Sequence, residues 1–271
     1  MLQITPVVKQ LLIINIVIFV LSMVMAQVAD IDPNALALYY PGSPNFRPYQ
    51  IVTHFFMHAG LAHIFFNMFA LFMFGSALEA KWGPKRFLFF YFFCAIGAAA
   101  LHTGYVHYHV SGLENAEMAF RNNPDPTTFH NFFDKIPANH FSKEGKDWLI
   151  DTESALQSQT NPGVAAEAQK VMDEFISEEK NTAAVGASGA IYGLLLAFGM
   201  LFPNVKLMLI FFPVPIAAKY FIPFMMLLEL FLGVNHFSWD NIAHFAHLGG
   251  ALFGLLLILY WRKFDDSYRA N

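Results

Sequence analysis

The sequence predicts an all-α polytopic membrane protein, a bundle of six spanning helices, and three observations carry that prediction. Hydrophobic residues make up 56% of the 271-residue chain and charged ones only 13%, a balance that belongs to integral membrane proteins rather than soluble globules. The apolar residues gather into stretches of roughly 20, the length a helix needs to cross a bilayer. Lysines and arginines collect in alternate short connections, the asymmetry of a threaded chain. A net charge of −4 argues against nucleic acid as a partner. The single cysteine, Cys94, leaves no disulfide framework and no Cys-based metal site.

The spans fall at about 8–27, 57–79, 86–107, 183–202, 217–234 and 242–262. The first has the length of a spanning helix, a single flanking lysine and further spans behind it, so it is expected to be retained rather than cleaved as a signal peptide. Pro41, Pro44 and Pro48 mark residues 28 to about 53 as an irregular first loop. Asn204 to Tyr220 is apolar but broken by Pro213 and Pro215, which predicts a bent connection lying partly at the interface.

Lys81, Lys85 and Arg86 separate the second and third spans, Lys206 follows the fourth, and Arg262, Lys263 and Arg269 end the chain. With Lys9 and Lys219 they share one face, and the opposite short loops hold Arg47 against Asp30, Asp32 and Asp240. Both termini are therefore expected to be cytoplasmic. Residues 1–107 and 183–271 make the six-helix membrane domain, and 108–182 a long polar extracytoplasmic loop with six basic and thirteen acidic residues. Loops of this length cross regardless of charge. Within it, Asn161 to Lys180 can form a helix and Asn123-Pro124-Asp125-Pro126 signals a turn. A partner-binding cap and a tolerated insertion both fit, the second being the plainer reading because long surface insertions cost little.

The polar residues of the spans converge on one depth. The second, fourth and sixth spans run inward together; Ser188 and His247 each lie about six residues into theirs, roughly 8–9 Å down at ~1.5 Å per residue. His63 and Asn67, four residues apart, share a face of the second span slightly deeper. Polar groups are costly in hydrocarbon, so such a layer asks for a function. Gly189 and Gly193 form a small-residue stripe beside Ser188, and Gly250 and Gly254 another beside His247; stripes of this kind let helices touch backbone to backbone. The crossing would place a serine nucleophile next to a histidine base. Tyr192, one turn beyond Ser188, can stack on the imidazole and orient it, a role that falls to a carboxylate in a catalytic triad. Glu79 lies on the cytoplasmic side and Glu229 on the fifth span, so the expectation is a Ser-His dyad without an acid. His63, Asn67 and the Ser188 backbone N–H are candidate donors to an oxyanion. The fifth helix and the short loop Gly233 to Asn241 are the expected route for water.

At these residues the chain resembles the rhomboid family of intramembrane serine proteases. The matching pieces are His58-xxxx-His63-xxx-Asn67, Gly186-x-Ser188-Gly189 with Tyr192, and Ala246-His247-xx-Gly250-xxx-Gly254. They occur in the family's order and cover the six-helix core. The 108–182 insertion is longer than that loop usually is, and Phe46-Arg47 stands where many members have Trp-Arg. The resemblance implies Ser188 as nucleophile, His247 as general base and acid, and His63 with Asn67 in the oxyanion hole. It implies cleavage of mostly single-pass transmembrane substrates near the outer face, with no metal and no cofactor. Helix-weakening Gly or Pro in such a substrate would ease its extension into the site.

The other histidines have plainer readings. His58 braces the first loop, His54 is an interfacial loop residue, and His102, His107 and His109 are solvated at the outer end of the third span. His244, one turn from His247, is the rival base. Two other functions compete: a metal site built from His54, His58, His63, His244 and His247, and a non-catalytic adaptor that binds transmembrane segments. The implied partners are transmembrane substrates and the lipid bilayer, with nothing to specify an oligomeric state. The absence of a visible organelle-targeting segment points to a prokaryotic inner membrane.

Overall fold

The computed structural model describes residues 3–28, 32, 34–158, 163–209, 212–235 and 243–264. Helix α1 covers Pro6–Val28, α2 Leu61–Trp82 and α3 Pro84–Asn122. Three helices follow outside the bundle, α4 Pro126–Phe133, α5 Lys143–Ser158 and α6 Val164–Asn181. The chain then re-enters the bundle as α7 Ser188–Leu201, makes an antiparallel hairpin of β1 Lys206–Leu209 and β2 Phe212–Ala217, and ends in α8 Ala218–Asn235 and α9 His244–Phe264. Helices α1, α2, α3, α8 and α9 are long and apolar enough to cross a membrane, and α7 is apolar but shorter. The all-α membrane bundle is thus the observed architecture, with one small hairpin added.

Elementary rules place the helix ends. The buried Glu79 carboxylate of α2 accepts hydrogen bonds from the Thr5 hydroxyl and from the backbone N–H groups of Val7, at 3.0 Å, and Val8, at 2.9 Å. An anion from a neighbouring helix therefore satisfies the orphan donors at the start of α1 and complements its dipole. Gly83, at φ 79°, turns the chain sharply after α2, and Pro84 then opens α3; glycine past one helix and proline at the start of the next are the residues these positions favour.

Leu71, Leu78, Phe87, Phe90, Tyr91 and Leu194 are wholly buried where α1, α2, α3 and α7 meet. Ile13, Val17 and Leu21 of α1 and Phe224, Leu227 and Phe231 of α8 face outward, the inverted polarity expected of a lipid-facing surface.

Four elements depart from the sequence reading. The third span continues fifteen residues beyond position 107, because Leu113, Ala116 and Phe120 become core for the inserted helices. The 108–182 segment is correspondingly no loop: Phe129, Phe132, Phe133, Ala168 and Met172 close a second core against α3. Its predicted turn, Asn123 to Pro126, is the cap of α4, where Asp125 accepts from the Thr128 N–H at 2.8 Å. The bent connection after the fourth span is the β1–β2 hairpin, which tolerates Pro213 and Pro215 because both of its strands are edges. The fourth span begins at Ser188 rather than 183, since residues before it pair with the first loop through Leu38 and Ala184. Most of the Gly233–Asn241 loop expected to admit water lies outside the described residues.

Replacing Glu79 by alanine would leave buried N–H donors at the start of α1 without a partner. The expected outcome is a loss of about 1–3 kcal/mol of stability, read as an earlier thermal or denaturant transition of the protein in detergent.

Candidate active site

The site is assembled at helix beginnings. Ser188 is the first residue of α7, His247 the fourth of α9 and His63 the third of α2, so the expectation that serine and histidine lie six residues deep is corrected to the first turn. Fourteen residues of α7 extend about 21 Å, short of a hydrocarbon core of about 30 Å by roughly 9 Å. Extended chain leads into α7, and backbone outside a helix needs protein partners wherever water is excluded. It has them: Leu38 and Ala184 exchange both backbone hydrogen bonds, at 2.9 and 2.8 Å, and the Gly186 N–H donates to the His54 carbonyl at 2.9 Å.

Gly186 sits at φ 120°, backbone that side chains rarely adopt, and a Cβ there would lie 2.9–3.0 Å from the His63 ring and 3.5 Å from Ser188 Oγ. Glycine thus lets the His63 imidazole approach the serine. The Ala59 N–H donates to His63 Nδ1 at 3.3 Å, which leaves the proton on Nε2, one of the ring atoms beside Gly186. Asn67, one turn below on the same helix, is 6% exposed and its Nδ2 has no partner among the described residues. The backbone N–H groups of Ser188, Gly189 and Ala190 are the orphan donors of α7, the first intrahelical bond being Ile191 N–H to the Ala187 carbonyl at 3.0 Å.

The glycine stripes form the crossing of α7 on α9. A Cβ on Gly250 would overlap the Gly189 carbonyl, one on Gly193 would come within 3.0 Å of the Gly250 carbonyl, and one on Gly254 within 3.2 Å of Gly193 Cα. Above this contact the Tyr192 ring is stacked on the His247 imidazole with centroids 4.1 Å apart and planes 9° from parallel. Ser188 is half-buried and His247 buried; among the described residues no direct hydrogen bond joins them.

The expected lack of a carboxylate at this level is overturned. Glu229 Oε2 lies 2.9 Å from His247 Nδ1 and 2.6 Å from His244 Nδ1, and Oε1 accepts from the Tyr192 hydroxyl. The signal was present in the sequence. Helix α8 runs against α7 and α9, so a residue six before its end shares a layer with their first turns, and a lone glutamate in an apolar span is by default functional.

His54 is likewise no interfacial residue. It is buried, its Nδ1 donates to the Gln50 carbonyl at 2.7 Å, and burial pushes its pKa down to about 4, so it is neutral at neutral pH. His102 is not at a solvated helix end either: it lines, with His54, Ser188 and Ala243, a cavity of about 20 Å³, room for about one water. His58 donates from Nδ1 to the Phe56 carbonyl at 3.3 Å and touches the Phe19 and His63 rings.

The five imidazoles considered for a metal do not meet at one point. Among the described residues the one group with metal-ligand atoms inside 4.8 Å is Glu229, His244 and His247, and the hydrogen bonds from both imidazoles to the carboxylate account for it.

An apolar helical bundle enclosing a serine, imidazoles and a carboxylate at its helix beginnings defines an integral membrane protein with a buried polar site. The rhomboid-domain family profile matches residues 45–120 and 164–264, and the chain belongs to the rhomboid family. Among its relatives, an uncharacterized mitochondrial rhomboid protein of Schizosaccharomyces pombe is 27% identical over 215 residues, 79% of this chain and 50% of that protein. The mitochondrial Rhomboid protein 1 of Saccharomyces cerevisiae is 35% identical over 85 residues, 31% and 24% of the two chains. Rhomboid-like protease 3 of Toxoplasma gondii is 30% identical over 86 residues, 30% and 33% of the two chains. The chain spans half the length, or less, of these curated relatives. Two of them are mitochondrial by name, so the expectation of a prokaryotic inner membrane finds no support in them; residence in a membrane stands.

Adding a methyl group at Gly250 would force α7 and α9 apart. Gly250→Ala is expected to destabilise the protein by about 1–3 kcal/mol or more, measured by thermal unfolding in detergent, whereas Leu252→Ala on the exposed side of α9 should leave the transition nearly unmoved.

Proposed function

We propose that the protein is an intramembrane serine endopeptidase that cleaves transmembrane protein substrates near the outer face of its membrane. The observation that carries the reading is the α7–α9 crossing, which stacks Tyr192, one turn beyond Ser188, on His247, while Gly186 leaves room for the His63 ring beside the start of α7. The family membership and relatives named as proteases add to it.

In this mechanism His247 takes the Ser188 proton through Nε2 as Oγ attacks the scissile carbonyl carbon. The oxyanion that forms is met by the His63 Nε2–H, by the Asn67 amide, whose buried donor has no partner among the described residues, and by the Ser188 backbone N–H. Donors oriented before charge develops are the effective ones, and the helix dipole of α7 favours an anion at its start. His247 then returns the proton to the leaving amine. The small cavity beside Ser188 can hold the water that hydrolyses the acyl-enzyme. With both termini cytoplasmic the site lies toward the outer face, and the α4–α6 insertion lies outside the membrane on the same side. A regular substrate helix hides its carbonyl carbons, so substrates with a Gly- or Pro-weakened turn at that level are preferred.

Ser188→Ala and His247→Ala should each abolish cleavage of a transmembrane reporter while the protein stays folded, and a fluorophosphonate probe should label the wild type but not Ser188→Ala; persistent cleavage by either variant refutes the mechanism. For Asn67→Ala the expected loss is smaller, about 10²–10³-fold in kcat; unchanged turnover in the reporter assay removes Asn67 from the oxyanion hole.

A further inference from the structure

We infer that Glu229 completes the pair of Ser188 and His247 as a positioning residue, holding the His247 ring in the one tautomer that can accept the serine proton. The inference rests on the protease reading above and names a residue that the three matching motifs do not contain.

An ionised carboxylate only accepts hydrogen bonds. With Glu229 Oε2 at 2.9 Å from His247 Nδ1, the imidazole proton is held on Nδ1 and Nε2 is left bare. A neutral imidazole without that partner divides between two tautomers, one of which presents an N–H to the serine and cannot act as base. When His247 gains the serine proton, the same carboxylate faces the resulting imidazolium, the part an acid plays in a triad.

The local construction fits a fixed anchor. Glu229 is 6% exposed within an apolar span, where an uncompensated carboxylate would be expensive. Three donors compensate it: His247 and His244 at Oε2 and the Tyr192 hydroxyl at Oε1. Tyr192 therefore acts on His247 twice, by its ring stacked at 4.1 Å and by holding the carboxylate that holds the ring. His244, the rival base, has its Nδ1 committed to the same oxygen and its ring lies 87° from that of His247, so it braces Glu229 rather than competing for Ser188. Gly233, one turn beyond Glu229, lets α8 close on α9, since a Cβ there would sit 2.9 Å from His244 Cβ.

The alternative is that Glu229 merely ties α8 to α7 and α9, and the two roles separate in kinetics. With the full chain in detergent and a transmembrane reporter, Glu229→Gln should lower kcat and the rate of fluorophosphonate labelling at Ser188 together, by roughly 10²- to 10⁴-fold, with KM unchanged. Glu229→Asp, which keeps a carboxylate on a shorter stem, should recover about tenfold over Glu229→Gln in both and still fall below the wild type. Labelling is normalised to folded protein, and Glu229→Asp alone decides if the glutamine variant does not fold. Wild-type labelling rates in the folded variants, a loss confined to KM, or an aspartate no better than glutamine would each overturn the inference while Ser188 chemistry stands. Cleavage by Ser188→Ala would overturn both readings, as would activity that is lost to a chelator and restored by zinc.

Discussion

The contact on which the rest of this bundle depends is the crossing of α7 over α9, where the Gly189 carbonyl rests against Gly250. In lipid there is no hydrophobic drive to press one apolar helix on another, so association comes from close packing and weak Cα–H···O contacts, which only small residues permit. The crossing sets the height at which α7 meets α9, and with it the stacking of Tyr192 on His247. Helix α3 packs behind it: Cys94 fills the space beside Gly193, and Leu101 and Ala98 lie against Gly249. The polar side chains are thereby mounted on closely packed backbone, a setting that suits pre-oriented hydrogen-bond donors.

A second constraint follows from putting polar chemistry at helix beginnings. The first turn of a helix carries N–H groups without partners, useful to an anion and costly in hydrocarbon. The protein meets the cost at two places with opposite outcomes. At α1 the orphan donors are closed off by Glu79, and the result is structural. At α7 the donors of Ser188 to Ala190 stay open, and the extended chain before them is covered by the first loop through the Leu38–Ala184 pairing and the Gly186–His54 bond. The first loop is consequently part of the site, and the positive φ of Gly186, open to glycine, is the local condition for bringing the His63 ring close.

The inserted helices join this arrangement by chain continuity. Residues 121–163 lie between the two stretches that match the rhomboid domain, yet Phe129, Phe132, Phe133 and Ile136 among them fold on an aromatic core shared with the end of α3. Helix α6 runs directly into the segment that leads to Ser188, and its end is held to the first loop by Ser43 and Asn45, which donate to the Asn181 side-chain oxygen at 2.6 and 3.3 Å. Lys180 pairs with Glu114 at 2.6 Å. Separate motions of insertion and first loop are restrained by these links.

Composition and the length of apolar runs determined the membrane class and the bundle, because partition into lipid depends on local sequence alone. The spacing of Gly189 with Gly193 and Gly250 with Gly254, and the motif order around His63, Ser188 and His247, were also legible, since helical periodicity converts spacing into a shared face. What the tertiary structure alone decided is non-local. Where α7 starts depends on Leu38, some 150 residues earlier, pairing with Ala184; the length of α3 depends on Phe129 and Met172 folding back on Phe120. The partnership of Glu229 with His247 depends on which side α8 turns toward α9 at Gly233. A hydropathy pattern states that a helix crosses the membrane, but the rotation of that helix about its own axis is set by the neighbours it packs against.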